Sequence, residues 1–175
     1  VSQKYFNDAL ISIHAKRSNN LFETVWALVG DAKLTVSSLG QNKNGSARVK
    51  HKIKSVDRLL SNEKLHKEIP LIYKKFFESV ILSKPELFIL VDWSGCCGDE
   101  WHMLRASIIH NGRSISIYNE IHPQDKLGNN YVHKKFLGAL KRMILADRKV
   151  IIITDSGFLT PWFSQVLKLG WHYIG

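Results

Sequence analysis

Two stretches of this chain share one design and constrain its fold more than any other feature. Leu87-Phe88-Ile89-Leu90-Val91 is an unbroken apolar run that delivers Asp92, and Val150-Ile151-Ile152-Ile153-Thr154 delivers Asp155, followed by Ser156 and Gly157. Short runs rich in β-branched and aromatic residues predict strands buried on both faces. Each run places a carboxylate where its strand should end. In α/β folds, ligands gather outside the carboxyl ends of such strands. Two neighbouring strands of this kind would hold Asp92 and Asp155 side by side. They would then offer the hard oxygen donors that Mg²⁺ or Mn²⁺ takes. The competing reading is that each aspartate only caps the loop after its strand.

The segments around these runs read as a mixed sheet. Gly95 to Glu100 predicts a turn, Met103 to Ile109 a strand, and Ser114 to Tyr118 a returning strand across an Asn111-Gly112 hairpin turn. Glu120 to Asn130 reads as a polar connection. Val132 to Leu145 reads as a helix with Phe136, Leu140, Met143 and Ile144 inward and Lys134, Lys135, Lys141 and Arg142 outward. A further helix through Trp162, Phe163, Val166 and Leu167 should end near Gly170, and the apolar close of the chain, Trp171 to Ile174, reads as the start of another strand. Strand, strand, strand, helix, strand is the opening order of a ribonuclease-H-like fold, in which the first and fourth strands lie together.

Charge separates the two halves. Residues 1–84 carry 15 Lys and Arg against 7 Asp and Glu, whereas residues 85–175 carry 10 against 8. A basic first half beside a nearly neutral second half suggests a nucleic-acid-binding arm, residues 1–84, ahead of a different core, residues 85–175. The arm reads as helical. Tyr5, Phe6, Ala9, Leu10 and Ile13 predict one helix; Leu21, Val25 and Leu28 a second, ended by Gly30; and Leu34 to Leu39 a third, short turn before an exposed loop, Gly40 to Gly45. From Ser46 or Ala47 to Leu60, the stripe Val49, Ile53, Val56 and Leu60 should pack inward. Lys50, Lys54 and Arg58, with Arg48 nearby, should form a face able to meet phosphates. Small helices leading to a basic amphipathic helix suggest a helix-turn-helix-like module; the bland alternative is a solvated basic face. Pro70 reads as the start of a helix with Ile69, Ile72, Phe76 and Val80 inward, and Ser83-Lys84-Pro85-Glu86 as the domain boundary.

Several classes are disfavoured. No apolar run approaches the ~20 residues of a membrane-spanning helix. Cys96 and Cys97 are adjacent, with no second Cys or His group at zinc spacing, and predict reduced thiols rather than a disulfide or structural zinc. Ser94 and Ser156 lie outside any Gly-x-Ser-x-Gly elbow. Trp93 and Trp162 read as core rather than base-stacking residues, and His122 as a solvated loop histidine.

Val91-Asp92-Trp93-Ser94, Tyr118-Asn119-Glu120-Ile121-His122-Pro123, Thr154-Asp155-Ser156-Gly157-Phe158 and Lys54-Ser55-Val56-Asp57-Arg58-Leu59-Leu60 together resemble bacterial insertion-sequence transposases of the DDE type. The resemblance is to the subgroup whose third acidic residue sits in a Tyr-Arg-Glu-Lys motif. It implies a ribonuclease-H-like catalytic core and a bacterial, cytoplasmic, nucleoid-associated protein. Asp92 and Asp155 would be catalytic metal ligands for two Mg²⁺ or Mn²⁺ ions. Double-stranded DNA, as terminal repeats and target, would be the substrate, and the complete protein would work as a homodimer on DNA. The third carboxylate is expected beyond Gly175, since no Tyr-Arg-Glu-Lys occurs here and Glu100 and Glu120 stand in the wrong order to replace it; residues 85–175 would then be the first part of a truncated core, and this chain alone would not cut DNA. The alternatives are a truncated relative that binds transposon ends without cutting, and a different ribonuclease-H-like nuclease.

Overall fold

The computed structural model describes residues 13–30, 32–81, 85–96, 98, 100–110, 112–145 and 147–175. The helix expected over Tyr5 to Ile13 therefore lies almost wholly outside the described residues. The chain forms two compact units, residues 1–72 and 73–175.

In the first unit, helix α1 (Ala15–Val29), helix α2 (Val36–Asn42) and helix α3 (Val49–Leu60) gather around Ala27, Ala32, Leu39 and Val56. α1 begins where the His14 ring accepts the Lys16 amide, and α2 where the Thr35 hydroxyl accepts the Ser38 amide. Two expectations fail here for packing reasons. The inward face of α1 is Thr24 and Ala27, not Leu28, which is exposed. Gly40 is no loop residue: it lies buried in α2 against α3, where an added Cβ would come within 2.5 Å of the Ile53 Cα. Without a side chain, α2 approaches the α3 backbone directly, and that closeness lets such small helices share a core.

Helix α4 (Glu63–Ile81) begins seven residues before Pro70, which sits inside it. The Asn62 side chain accepts the Leu65 amide at 3.1 Å and so starts the helix upstream. Pro70 then removes one donor mid-helix, toward the carbonyl of His66. Tyr73 and the fully buried Phe77, in the second half of α4, belong to the second unit and its core. The division thus falls within α4, ahead of the expected boundary; residues 82–84 of that boundary lie outside the described set.

The second unit is a five-stranded mixed sheet. Strands β1 (Glu86–Cys96), β2 (Trp101–His110), β3 (Arg113–Pro123), β4 (Lys149–Ile153) and β5 (His172–Ile174) lie in the order β3-β2-β1-β4-β5. β2 and β3 extend β1 as antiparallel neighbours, while β4 pairs parallel to β1 and β5 parallel to β4. Helix α5 (Asn130–Met143) connects β3 to β4, and helix α6 (Thr160–Lys168) connects β4 to β5. Alternate strand residues Leu87, Ile89, Val91, Leu104, Ala106, Ile108, Val150 and Ile152 pack with Phe136, Leu137, Leu140, Trp162 and Val166 from these helices. The run Leu87 to Val91 is therefore buried on one face only. Its other face carries Phe88, 42% exposed, and Leu90, half-buried. β1, β2 and β3 also run longer than expected. β3 continues through Glu120 and His122 after a bulge that shifts the register between Ala106 and Ser107.

Gly40→Ala should destabilise the first unit by about 1–3 kcal/mol, because the new methyl must displace the Ile53 backbone rather than a side-chain tip. Urea unfolding of the variant would show a lower midpoint; an unchanged midpoint would mean that α2 and α3 separate without cost.

Candidate functional site

The two aspartates meet the sheet differently. Parallel pairing of β1 with β4 ends at Leu90 opposite Ile153, and Asp92 and Asp155 each lie two residues past that pair. Both are exposed at the carboxyl rim of these strands. β1, however, continues to Cys96 against β2, so Asp92 sits inside an antiparallel ladder, directly opposite Arg105. The strand does not end at Asp92 as expected. Ser94, two residues on, donates its hydroxyl to Asp92 Oδ2 at 2.9 Å. Asp155 follows the end of β4; its Oδ1 accepts the Gly157 amide at 3.0 Å, and its carbonyl accepts the Phe158 amide. Asp155 thus caps its turn with one carboxylate oxygen, which leaves lone pairs on the other for a further partner.

By residue type, aspartate carboxylates are hard oxygen donors. Mg²⁺ is commonly held by one or two carboxylates together with waters and substrate phosphates. Among the described residues, no group of three or more His, Cys, Asp and Glu could hold a metal ion. Glu120 adds nothing to the pair, because it stands opposite Leu104, a core residue on the helix-covered face. There its carboxylate accepts the Tyr118 hydroxyl at 2.6 Å and lies 2.9 Å from His122 Nε2. Burial, and then the Glu120 carboxylate, push the Tyr118 phenol well above its usual range.

Behind Asp92, a cluster of rings fixes the end of β1. Trp93 donates its indole N–H to His133 Nε2 at 3.1 Å. The accepting nitrogen is therefore unprotonated, and the neutral ring carries its proton on Nδ1. His133 is buried in α5, stacked on Phe158 at 5.4 Å and edge-on to Trp162 at 4.9 Å. Burial, with a smaller push from His122, lowers its pKa to about 4. His122, expected in a solvated loop, is a half-buried strand residue lying edge-on to Trp93. The sequence signal for His133 was its position: it stands three, four and seven residues before Phe136, Leu137 and Leu140, on their helix face.

The basic residues of the first unit divide in two. Lys50, Lys54 and Arg58 are exposed on one side of α3, with Arg48 at its start and also exposed. Arg58 Nε donates to the Lys54 carbonyl, which lays the side chain along the helix. The buried side of α3 is rotated from expectation: Val56 and Leu59 are inside, while Val49 and Leu60 are about half exposed. Lys52 turns away from the outer face and donates to the Lys43 carbonyl at 2.8 Å. Lys43 itself is buried, its ammonium bonded to Asn20 Oδ1, to Ser55 Oγ at 3.1 Å and to the Glu23 carboxylate at 3.2 Å. Among the tryptophans, Trp93 and Trp162 belong to the core, whereas Trp26 on α1 is 52% exposed.

The low pKa of His133 sets a stability window. Its folded value lies below the ordinary 6.5, so the native state resists a proton that the unfolded chain accepts. This stability is fully present above pH 6.5, falls as pH drops toward 4, and is worth up to about 3 kcal/mol. His133→Gln, which can still accept from Trp93 and does not titrate, should flatten that fall in urea titrations between pH 7 and 4.5. Identical pH slopes for the two proteins would place the acid sensitivity elsewhere. No protein-family model, no curated protein and no solved structure matches this chain.

Proposed function

We propose that this chain serves a DNA transposase of the DDE type, to which it contributes a helical DNA-binding arm and a ribonuclease-H-like core. The observation that carries the proposal is the side-by-side, parallel pairing of β1 with β4, which leaves Asp92 and Asp155 equally far past the last pair. That placement, with the strand order β3-β2-β1-β4-β5, supports the ribonuclease-H-like reading made from the order of elements. It also favours paired carboxylates over two unrelated loop caps.

Asp92 and Asp155 would hold Mg²⁺ or Mn²⁺. Two such ions supply activation of an attacking oxygen and stabilisation of the leaving oxygen in phosphodiester cleavage. The chain's own contribution is placement. Asp92 is carried by a strand paired to β2, its carboxylate is steered by the Ser94 hydroxyl, and the following residue is tied to His133. Positioning dominates this chemistry, so such bracing matters more than the acidity of either group. On α3, Arg48, Lys50, Lys54 and Arg58 would meet backbone phosphates of duplex DNA; these contacts hold a duplex without reading its sequence.

The placement of Glu120 on the helix-covered face, engaged with Tyr118 and His122, favours a second reading. In it, the chain occupies DNA ends and binds a cation without cutting. The two readings share the same pair of aspartates and the same basic helix, and differ in whether a strand is cleaved.

Both elements are open to test in one preparation. Mn²⁺ binding, followed by electron paramagnetic resonance, should weaken in Asp92→Asn and in Asp155→Asn while duplex binding is kept. Lys50→Ala/Lys54→Ala/Arg58→Ala should do the reverse: Mn²⁺ binding is kept, and the log–log salt dependence of duplex binding becomes shallower by about 0.9 for each phosphate no longer neutralised. Nicking of an end-containing duplex in Mg²⁺ separates the cutting from the non-cutting reading. Unchanged Mn²⁺ affinity in both aspartate variants would overturn the proposal.

A further inference from the structure

The α1–α3 side of the first unit carries a continuous furrow. One hollow of about 340 Å³ runs past Lys16, Asn20, Ser55 and Arg58. A second, of about 490 Å³, shares Lys16, Asn20 and Ser55 with it and adds His51 and Lys52. The second shares Glu23 and Asn44 with a third, of about 260 Å³, walled by Phe22 and Trp26. Basic residues therefore line the first two hollows, and the third is aromatic.

We propose that this furrow binds a single DNA strand, with phosphates along Arg58, Lys16, His51 and Lys52 and one unpaired base against Trp26. The choice of DNA over RNA rests on the transposase reading; the strand-binding geometry does not.

Three features argue for an unpaired strand. First, Phe22 and Trp26, one turn apart on α1, lie nearly parallel, 13° between ring planes and 6.1 Å between centroids. Half of Trp26 is exposed. An exposed aromatic face beside a basic groove is the recurrent means of holding single strands, because every base offers a π-face and the phosphates need only positive charge. In a duplex the bases are already stacked on one another, so this slot has nothing to take. Second, the acidic residue in the wall is neutralised: Glu23 is paired to the buried Lys43 ammonium, which also holds Asn20 and Ser55 beneath the furrow. The floor is thus fixed before a ligand arrives and presents no unpaired carboxylate to a phosphate. Third, Lys52 and His51 point elsewhere than the outer stripe of Lys50 and Lys54. α3 therefore offers a second basic surface, with Arg58 at the junction of the two.

Two other kinds of ligand fit the same furrow. An acidic peptide with an aromatic side chain would satisfy the same charge and the same slot, and RNA would satisfy them as DNA does. The test uses the full chain and fluorescently labelled short oligothymidine, the matching duplex, oligouridine, and a glutamate-rich peptide containing tryptophan. Oligothymidine should bind most tightly at moderate salt. Trp26→Leu should weaken oligothymidine about tenfold and leave the duplex within twofold, while Trp26→Phe, which keeps a stacking face, should restore most of the loss. Lys16→Ala should lower the salt slope for oligothymidine by about 0.7, an effect that does not depend on the Trp26 variants folding. Lys50→Ala/Lys54→Ala should weaken the duplex and spare oligothymidine. Loss of duplex binding in that variant, with strand binding intact, is thus independent of the furrow. Duplex affinity equal to that for oligothymidine, with no effect of Trp26→Leu, would overturn the proposal. Tighter binding of the peptide would overturn it in favour of a protein partner, and tighter binding of oligouridine would overturn the choice of DNA.

Discussion

Five backbone pairs, Glu86 to Leu90 against Lys149 to Ile153, join segments 63 residues apart and make one sheet of the second unit. Closing so long a loop costs chain entropy, although the cost grows only slowly with length. The return comes from burial: Leu87, Ile89, Val150 and Ile152 leave water together, at about 1.5–3 kcal/mol each. A Glu86–Lys149 ion pair stands at the first rung, where it favours this register over its neighbours. Both its groups are exposed, so it adds little to stability itself. Three features of the second unit follow from this join. It makes β1 central, sets the helices α5 and α6 over one face, and brings two strand ends with aspartates to one rim.

The aromatic cluster around His133 depends on the same join from the other side. Trp93 comes from β1, His133 from α5, and Phe158 and Trp162 from the segment after β4. These rings therefore assemble only once β1 and β4 are paired. A neutral histidine at their centre accepts the part-buried Trp93 indole proton, whereas the buried Trp162 indole nitrogen has no partner among the described residues; a buried polar group left unpaired costs about 1–3 kcal/mol. The arrangement ties the residue after Asp92 to the helix layer, so the rim of the sheet is braced from behind rather than from solvent.

Much of the second unit was legible in the sequence because its signals are local and concordant. Apolar runs marked β1 and β4, Asn111-Gly112 marked the turn between β2 and β3, and the stripe from Phe136 to Met143 marked α5. What escaped were features decided by contact. Runs such as Leu87 to Val91 look the same whether one face or two are buried, since an exposed Phe88 and a buried Ile89 are both apolar. Glu120 and His122 read as loop because they are polar, yet they pair with each other within a strand. The first unit was harder still. Gly40 suggested a flexible loop by composition, whereas its lack of a side chain serves helix contact. Lys43 suggested solvent, whereas Asn20, Ser55 and Glu23 make burial of its ammonium tolerable. Pro70 suggested a helix start, and Asn62 supplies the actual one upstream. In each case the deciding partner is distant in sequence, or the residue type has two uses and composition alone favours the commoner one.

The backbones beneath Asp92 and Asp155 are held in different ways. Asp92 rides on a ladder paired residue by residue with β2, and its main chain moves only as fast as the sheet opens. Asp155 lies in a turn closed by the Gly157 and Phe158 amides, contacts outside the β4 ladder. Turns of this kind sample alternatives far more often than paired strands do. Under the proposed cation-binding role, a ligand at the rim would thus find one anchor fixed in the sheet and one that adjusts. Any difference in ionic radius or in the bulk of an attached group would be absorbed at residues 155–158, with the sheet itself left unstrained.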